Sequence, residues 1–138
     1  MAEFTGPNYK TLQQAGEYGN ACVAVLGFTF AAHAAASIAL MGKLAGGITI
    51  TRVRAVSADM GNAQTMDIGY RYLTAADGTS DPDGLFDGID TGTAAATNTF
   101  DDVLEIADGN GIEIIAQNIG DAATGALSLV VEYKYNGQ

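Results

Sequence analysis

Residues 18–42 carry no formal charge over 25 positions, and their centre reads ACVAVLGFTFAAHAAASIALM. Nothing else in the chain narrows its folding options so far. A run of about 20 apolar residues is long enough to cross a bilayer as a helix. This one makes a poor span. His33 lies near its middle, where an ionisable side chain is costly. Gly27, Thr29 and Ser37 add polarity, and no aromatic belt brackets the run. The residues before it carry Glu3 and Glu17 against Lys10 alone, the wrong balance for a secretory leader. Two neighbouring buried strands, residues 22–30 and 37–44, explain the same stretch, since a strand covered on one face and partly on the other reads as near-continuously apolar. A helix over residues 31–41 is the remaining option, because Ala has the highest helix propensity.

The rest of the chain reads as strands between turns. Residues 48–56 (ITITRVRAV) are rich in β-branched side chains and follow Gly46-Gly47. Residues 66–73 alternate, with Met66, Ile68, Tyr70 and Tyr72 on one face and Asp67 and Arg71 on the other. A long loop, residues 75–98, holds Asp77-Gly78, Asp81-Pro82 and Asp83-Gly84, with a short strand at 85–89. Strands at 103–107 and 112–119 flank Asp108-Gly109-Asn110-Gly111, a tight-hairpin signal because Gly and Asn tolerate positive φ. Residues 126–135 close the chain, with Leu127, Leu129, Val131, Tyr133 and Tyr135 on one face. Residues 1–20 are polar, with Gly6-Pro7-Asn8 as a turn, and are expected to form an irregular arm. About eight short strands predict an all-β antiparallel sandwich or barrel over residues 21–138.

Composition removes much chemistry. Apolar residues are 48% of 138, 24 of them Ala, which suffices for one compact core. One cysteine, Cys22, excludes an internal disulfide and a cysteine-rich zinc site, and one histidine, His33, excludes two-histidine metal motifs. Sixteen acids against six bases disfavour a nucleic-acid partner. The charge is lopsided: residues 1–71 hold five bases and four acids, whereas residues 72–138 hold Lys134 and twelve acids. A one-signed half of this kind keeps like surfaces apart and favours solvent.

Candidate chemistry is sparse. Asp90-Thr91-Gly92 is the tripeptide of aspartic proteases, in which two aspartates brought together by a dimer share one proton. Here the lead-in is Asp87-Gly88-Ile89 rather than a buried apolar strand, and the later apolar pair Ile114-Ile115 is followed by Ala116 instead of Gly. A calcium loop fails on spacing: counted from Asp77, Pro82 falls where the turn glycine belongs and Gly88 where the bidentate Glu belongs. Weak, irregular cation binding by the acidic loop stays open. Gly109-Asn110-Gly111 has no following lysine or helix and is no phosphate loop. His33 is expected packed with one hydrogen-bond partner, and Cys22 as a core thiol. Arg52 and Arg54 share one face of their strand and read either as solvated or as a clamp for partner carboxylates.

Three segments, ITITRVRAVSADMGNAQTMDIGYRYL, DPDGLFDGIDTGTAAAT and IEIIAQNIGDAATGALSLVVEYKY, carry a family resemblance. The Asp-Gly-Ile-Asp-Thr loop, and an apolar strand followed by a Thr-Gly turn and a Leu/Val-rich strand ending Val-Glu-Tyr, resemble the jelly-roll cement, or decoration, proteins of tailed bacteriophage capsids. The resemblance spans roughly residues 20–136. It implies a jelly-roll-like sandwich with no catalytic residues and no cofactor. It further implies a virion protein on the outer capsid surface, bound to the major capsid protein, clamping neighbouring subunits and itself a dimer or trimer. Arg52 and Arg54 are the residues expected to touch the capsid. The competing expectations are a homodimeric aspartic protease using Asp90 and a membrane-anchored or pilin-like subunit.

Overall fold

A computed structural model describes residues 2–7, 9, 12–13, 21–61, 64–92 and 96–136. Of the expected arm, residues 1, 8, 10–11 and 14–20 lie outside the described residues, Asn8 of the turn among them. Eleven strands are present among the described residues: β1 (Glu3–Thr5), β2 (Leu12–Gln13), β3 (Ala21–His33), β4 (Ile38–Leu44), β5 (Ile48–Ser57), β6 (Thr65–Tyr72), β7 (Asp81–Asp90), β8 (Ala96–Phe100), β9 (Leu104–Ile106), β10 (Ile112–Ile119) and β11 (Ala123–Tyr135). One sheet runs β1-β4-β10-β6-β7 with β2 also on β4; the other runs β3-β11-β5-β8 with β9 also on β5. The two pack face to face as a β-sandwich, as the strand count predicted. The additions to the expected eight are β1 and β2 from the arm and β8 from the expected loop. The arm's short strands lie parallel to β4; the remaining pairs are antiparallel.

The uncharged run resolves into β3, a turn and β4. The helix expected as an option over residues 31–41 is not formed: residues 31–33 end β3, Ala36 takes φ 65° in the turn, and β4 begins at Ile38. Tertiary burial outweighs alanine's helix propensity, because β3 puts Ala24, Leu26, Phe28 and Phe30 into the core at every second position. Among the described residues no helix is long and apolar enough to cross a membrane.

β11 and β6 bury the faces predicted from alternation: Leu127, Leu129, Val131 and Tyr133 from one, Met66, Ile68 and Tyr70 from the other, with Tyr72 and Tyr135 at the margin. Connections diverge more from expectation. Between β3 and β11, chain neighbours lie in different sheets at β3–β4, β4–β5, β5–β6, β7–β8, β9–β10 and β10–β11; only β6 and β7 are consecutive and paired. The Asp108–Gly111 segment is therefore no hairpin. Gly109 (φ 145°) and Gly111 (φ 90°) supply the turn chemistry, but the turn carries the chain from β9 in one sheet to β10 in the other. Thr124-Gly125, expected as a turn, lies inside β11, opposite a bulge in β3 where Ala31 and Ala32 (φ 53°) face Thr124.

Within the expected loop at residues 75–98 the short strand expected at 85–89 is the longer β7, whose pairing with β6 jumps from Ile68↔Phe86 to Tyr70↔Asp81. The slack chain doubles over Gly69, where an added Cβ would strike the backbone of Asp81 and Pro82. Gly69→Ala is expected to cost about 3 kcal/mol, at the upper end for overpacking, read as a lowered urea midpoint with an unchanged slope.

The end of the sandwich opposite this fold-over is held by Asn118, which is fully buried. Its Nδ2 donates to the carbonyls of His33, Ala34 and Asp121, tying the β3–β4 turn to the β10–β11 turn. Gln64 Nε2 donates to the same Asp121 carbonyl.

Candidate docking surface

Arg52 and Arg54 reach the outer face only because β5 is bulged. Strict alternation from the buried Ile48 and Ile50 would drive both guanidinium groups into the core. Instead Ile50 pairs with Tyr133 and Arg52 with Glu132, so Thr51 is an extra residue, and its hydroxyl donates to the Glu132 carbonyl at 3.2 Å. Beyond the bulge Arg52, Arg54 and Val56 face outward while Val53, Ala55 and Ser57 face inward. Register then sets rows across the sheet: Val25, Val130, Arg54 and Thr99 stand side by side, as do Val23, Glu132 and Arg52.

This outer face differs in character from the rest of the chain. Arg52, Arg54 and Lys134 are three of the six bases, met by Glu132 and, at the rim, by Asp101, whose Oδ1 lies 3.4 Å from Arg52 Nε. Val23 is 59% exposed, Val25 58% and Val56 37%. A shallow cleft of about 220 Å³ opens between Arg52, Arg54, Val130 and Glu132. Solvent-facing valines beside forked guanidinium groups can supply both apolar area and bidentate recognition of carboxylates. The Arg52–Asp101 contact is exposed on both sides, so either partner can be exchanged at small cost.

The other sheet treats its arginine differently. Arg71 bridges Glu3 (2.8 Å) and Glu113 (2.7 Å from Nη2, 2.8 Å from Nε). The Tyr9 hydroxyl donates to the second Glu113 oxygen at 2.5 Å, and Lys43 Nζ stands 4.8 Å over the Tyr9 ring. Hydrogen bonding to Glu3 leads in pushing the Arg71 pKa up, opposed by burial. Burial, then the bond to Glu113, pushes the Tyr9 phenol to about 12 from 10.0. A raised folded-state pKa stabilises below the ordinary phenol value and is lost as pH climbs through the folded one. Protection of β1 amides from hydrogen exchange is thus expected to fall between pH 10 and 12, and Tyr9→Phe to remove the phenolate absorbance step near pH 12.

Asp90 ends β7, exposed, with Oδ1 accepting from the Gly92 N–H at 2.8 Å. This is a side-chain-closed turn, with Thr91 buried beneath it and its N–H donating to the Gln64 carbonyl. Asp90→Asn keeps an acceptor in place, so a change in stability below about 0.5 kcal/mol is expected. Peptide hydrolysis that is present in the parent and lost in this variant would contradict the turn role. Asp81 and Asp83 lie exposed at the start of β7, and a hydrogen bond with Asp83 leads in raising the Asp81 pKa. Among the described residues no three His, Cys, Asp or Glu side chains are grouped to hold a metal.

His33 sits among Phe4, Phe28 and Phe30, at ring distances of 4.0, 5.5 and 5.7 Å, and its Nδ1 accepts from the Ala31 N–H. It is packed with a hydrogen-bond partner, as expected. Cys22 is in no disulfide and lies partly buried against the core.

No family model and no curated protein matches the sequence. Solved structures do share the fold. A chain of the capsid of Ralstonia phage GP4 aligns with a TM-score of 0.77 at 17% identity, covering 99% of this chain and 100% of that one. A chain of the cyanophage Pam1 capsid asymmetric unit aligns at 0.66 and 18% identity, covering 89% and 90%. A chain of the acidic stable capsid structure of Helicobacter pylori bacteriophage KHP30 aligns at 0.57 and 15%, covering 87% and 91%. At these identities the likeness is one of fold.

Proposed function

We propose that this chain is a structural virion protein that binds the outer surface of an icosahedral phage capsid and clamps neighbouring capsid subunits. The observation that carries the reading is the end-to-end likeness of the described fold to a chain of the Ralstonia phage GP4 capsid. The arginine and valine face of β3, β11, β5 and β8 supports it, because a clamp needs an exposed surface of mixed apolar and cationic character. In this reading the partner is the major capsid protein, Arg52 and Arg54 meet its carboxylates, and the protein is itself a dimer or trimer matching the shell's symmetry. The acidic residues of β7 face solvent, and no cofactor or nucleic acid takes part. A structural role asks nothing catalytic of Asp90, which closes a turn.

The test is made on particles. Virions from the native source should contain the chain, and mild stripping should release it from shells that stay closed. Adding the purified protein back should restore both the bound copies and resistance to heat. Shells that fall apart as the chain leaves would make it part of the shell wall, and particles lacking it would overturn the virion role.

A further inference from the structure

The first sheet contains a receptor for an extended peptide, occupied by the chain's own N-terminal segment. β1 meets β4 through three register pairs and β2 through two, all parallel, the weaker kind of pairing. Attachment depends on discrete anchors. Phe4 enters the ring cluster at His33, Glu3 meets Arg71, and Tyr9 meets Glu113. The Gly6 N–H donates to the Leu40 carbonyl at 2.7 Å, where a Cβ would collide with the Gly27 carbonyl. Beneath Tyr9 lies a separate apolar cluster of Ile38, Leu40 and Ile115 on the outer side of the sheet. A formed pocket, a nearly buried carboxylate and a cationic partner thus stand ready on the body, and all their complements lie on one terminal segment.

We infer that this receptor takes the N-terminal segment of a second copy of the chain, so that adjacent copies are tied by exchanged arms. Every contact made in cis is available in trans, so exchange changes little but the freedom of the two chains, and a high local concentration offsets that cost. The seven residues between Gln13 and Ala21 can span roughly 25 Å when extended, enough to reach a touching neighbour. The inference takes only the crowding of copies from the proposed virion role; the exchange itself is testable without a capsid.

Thr5 and Leu40 are register partners. On a Cys22→Ser background, one chain carries Thr5→Cys and another Leu40→Cys. The two are mixed at high concentration, unfolded and refolded together, then oxidised. The expected result is a covalent heterodimer on a non-reducing gel, far more abundant than in a control pairing Thr5→Cys with Glu105→Cys, exposed on β9 in the opposite sheet. A chain carrying both Thr5→Cys and Leu40→Cys should close on itself when dilute and form multimers when concentrated. If that chain closes on itself at every concentration while the mixture stays monomeric, the arm is held in cis and exchange is overturned. Equal yields with Leu40→Cys and Glu105→Cys would mean random collision and overturn the receptor. Should Leu40→Cys misfold by circular dichroism, Glu3→Cys with Ile38→Cys probes the same register. Stripped virions play no part, so a negative result here leaves the capsid role standing.

Discussion

Arg52→Ala/Arg54→Ala chain is expected to fold as the parent does and to leave capsid shells at a lower salt concentration. Both side chains are outside the core, and the exposed Arg52–Asp101 contact contributes at most ~1 kcal/mol to folding. On a shell the balance differs, because docking withdraws the guanidinium groups from water, and charge pairs at a closed interface are worth a few kcal/mol each. A loss of about 2–3 kcal/mol per copy weakens retention roughly 30- to 140-fold. Co-sedimentation with stripped particles across a salt series reads this directly. Asp81→Lys/Asp83→Lys, at the start of β7 in the other sheet, is expected to matter less. Equal retention of parent and double-arginine variant, with loss confined to the β7 variant, would reverse the orientation and make the acidic edge the docking surface.

The second large effect concerns folding. Arg71→Ala strands Glu113, which is only 9% exposed, without the cation that occupies its carboxylate through two contacts. Removing one partner of a nearly buried pair leaves an uncompensated charge, and the expected cost is about 3 kcal/mol. For a domain of this size that lowers Tm by roughly 10 °C, measurable by calorimetry. Glu3 loses its partner in the same step, so hydrogen exchange at β1 should accelerate beyond what the global destabilisation explains. Arg71→Met/Glu113→Leu removes both charges and should recover most of the loss, since an apolar pair needs no desolvation of ions. A cost below about 1 kcal/mol for Arg71→Ala would place the network among ordinary surface pairs.

Arg71 and Arg54 look alike in the sequence, each a base between apolar neighbours, yet one is locked and the other open. Alternation along β6 put Arg71 on the outer face correctly, but alternation says nothing of what lies across that face. Glu3 and Tyr9 arrive from a segment expected to be an irregular arm, and their positions depend on the parallel pairing of β1 with β4. No local pattern could announce that pairing, because three residues carry too little periodicity to mark a strand.

Legible in the sequence were the all-β class, most strand positions, the inward faces of β6 and β11, the packing of His33 and the division of the uncharged run into two strands. These follow from period-two alternation and turn chemistry, which act within one strand or one tight turn. Tertiary structure alone decided how the strands pair. Asp108–Gly111 has the residues of a hairpin and makes a crossing between sheets, because β9 finds β5 and β10 finds β4 and β6 once both sheets must be covered. It decided the outward aim of Arg52 and Arg54 as well: the bulge at Thr51 exists because burying Ile48 and Ile50 on one side of it and Val53 and Ala55 on the other requires one extra residue against β11. Burial on a shared core is a property of two strands together, and a single strand's pattern cannot encode its partner.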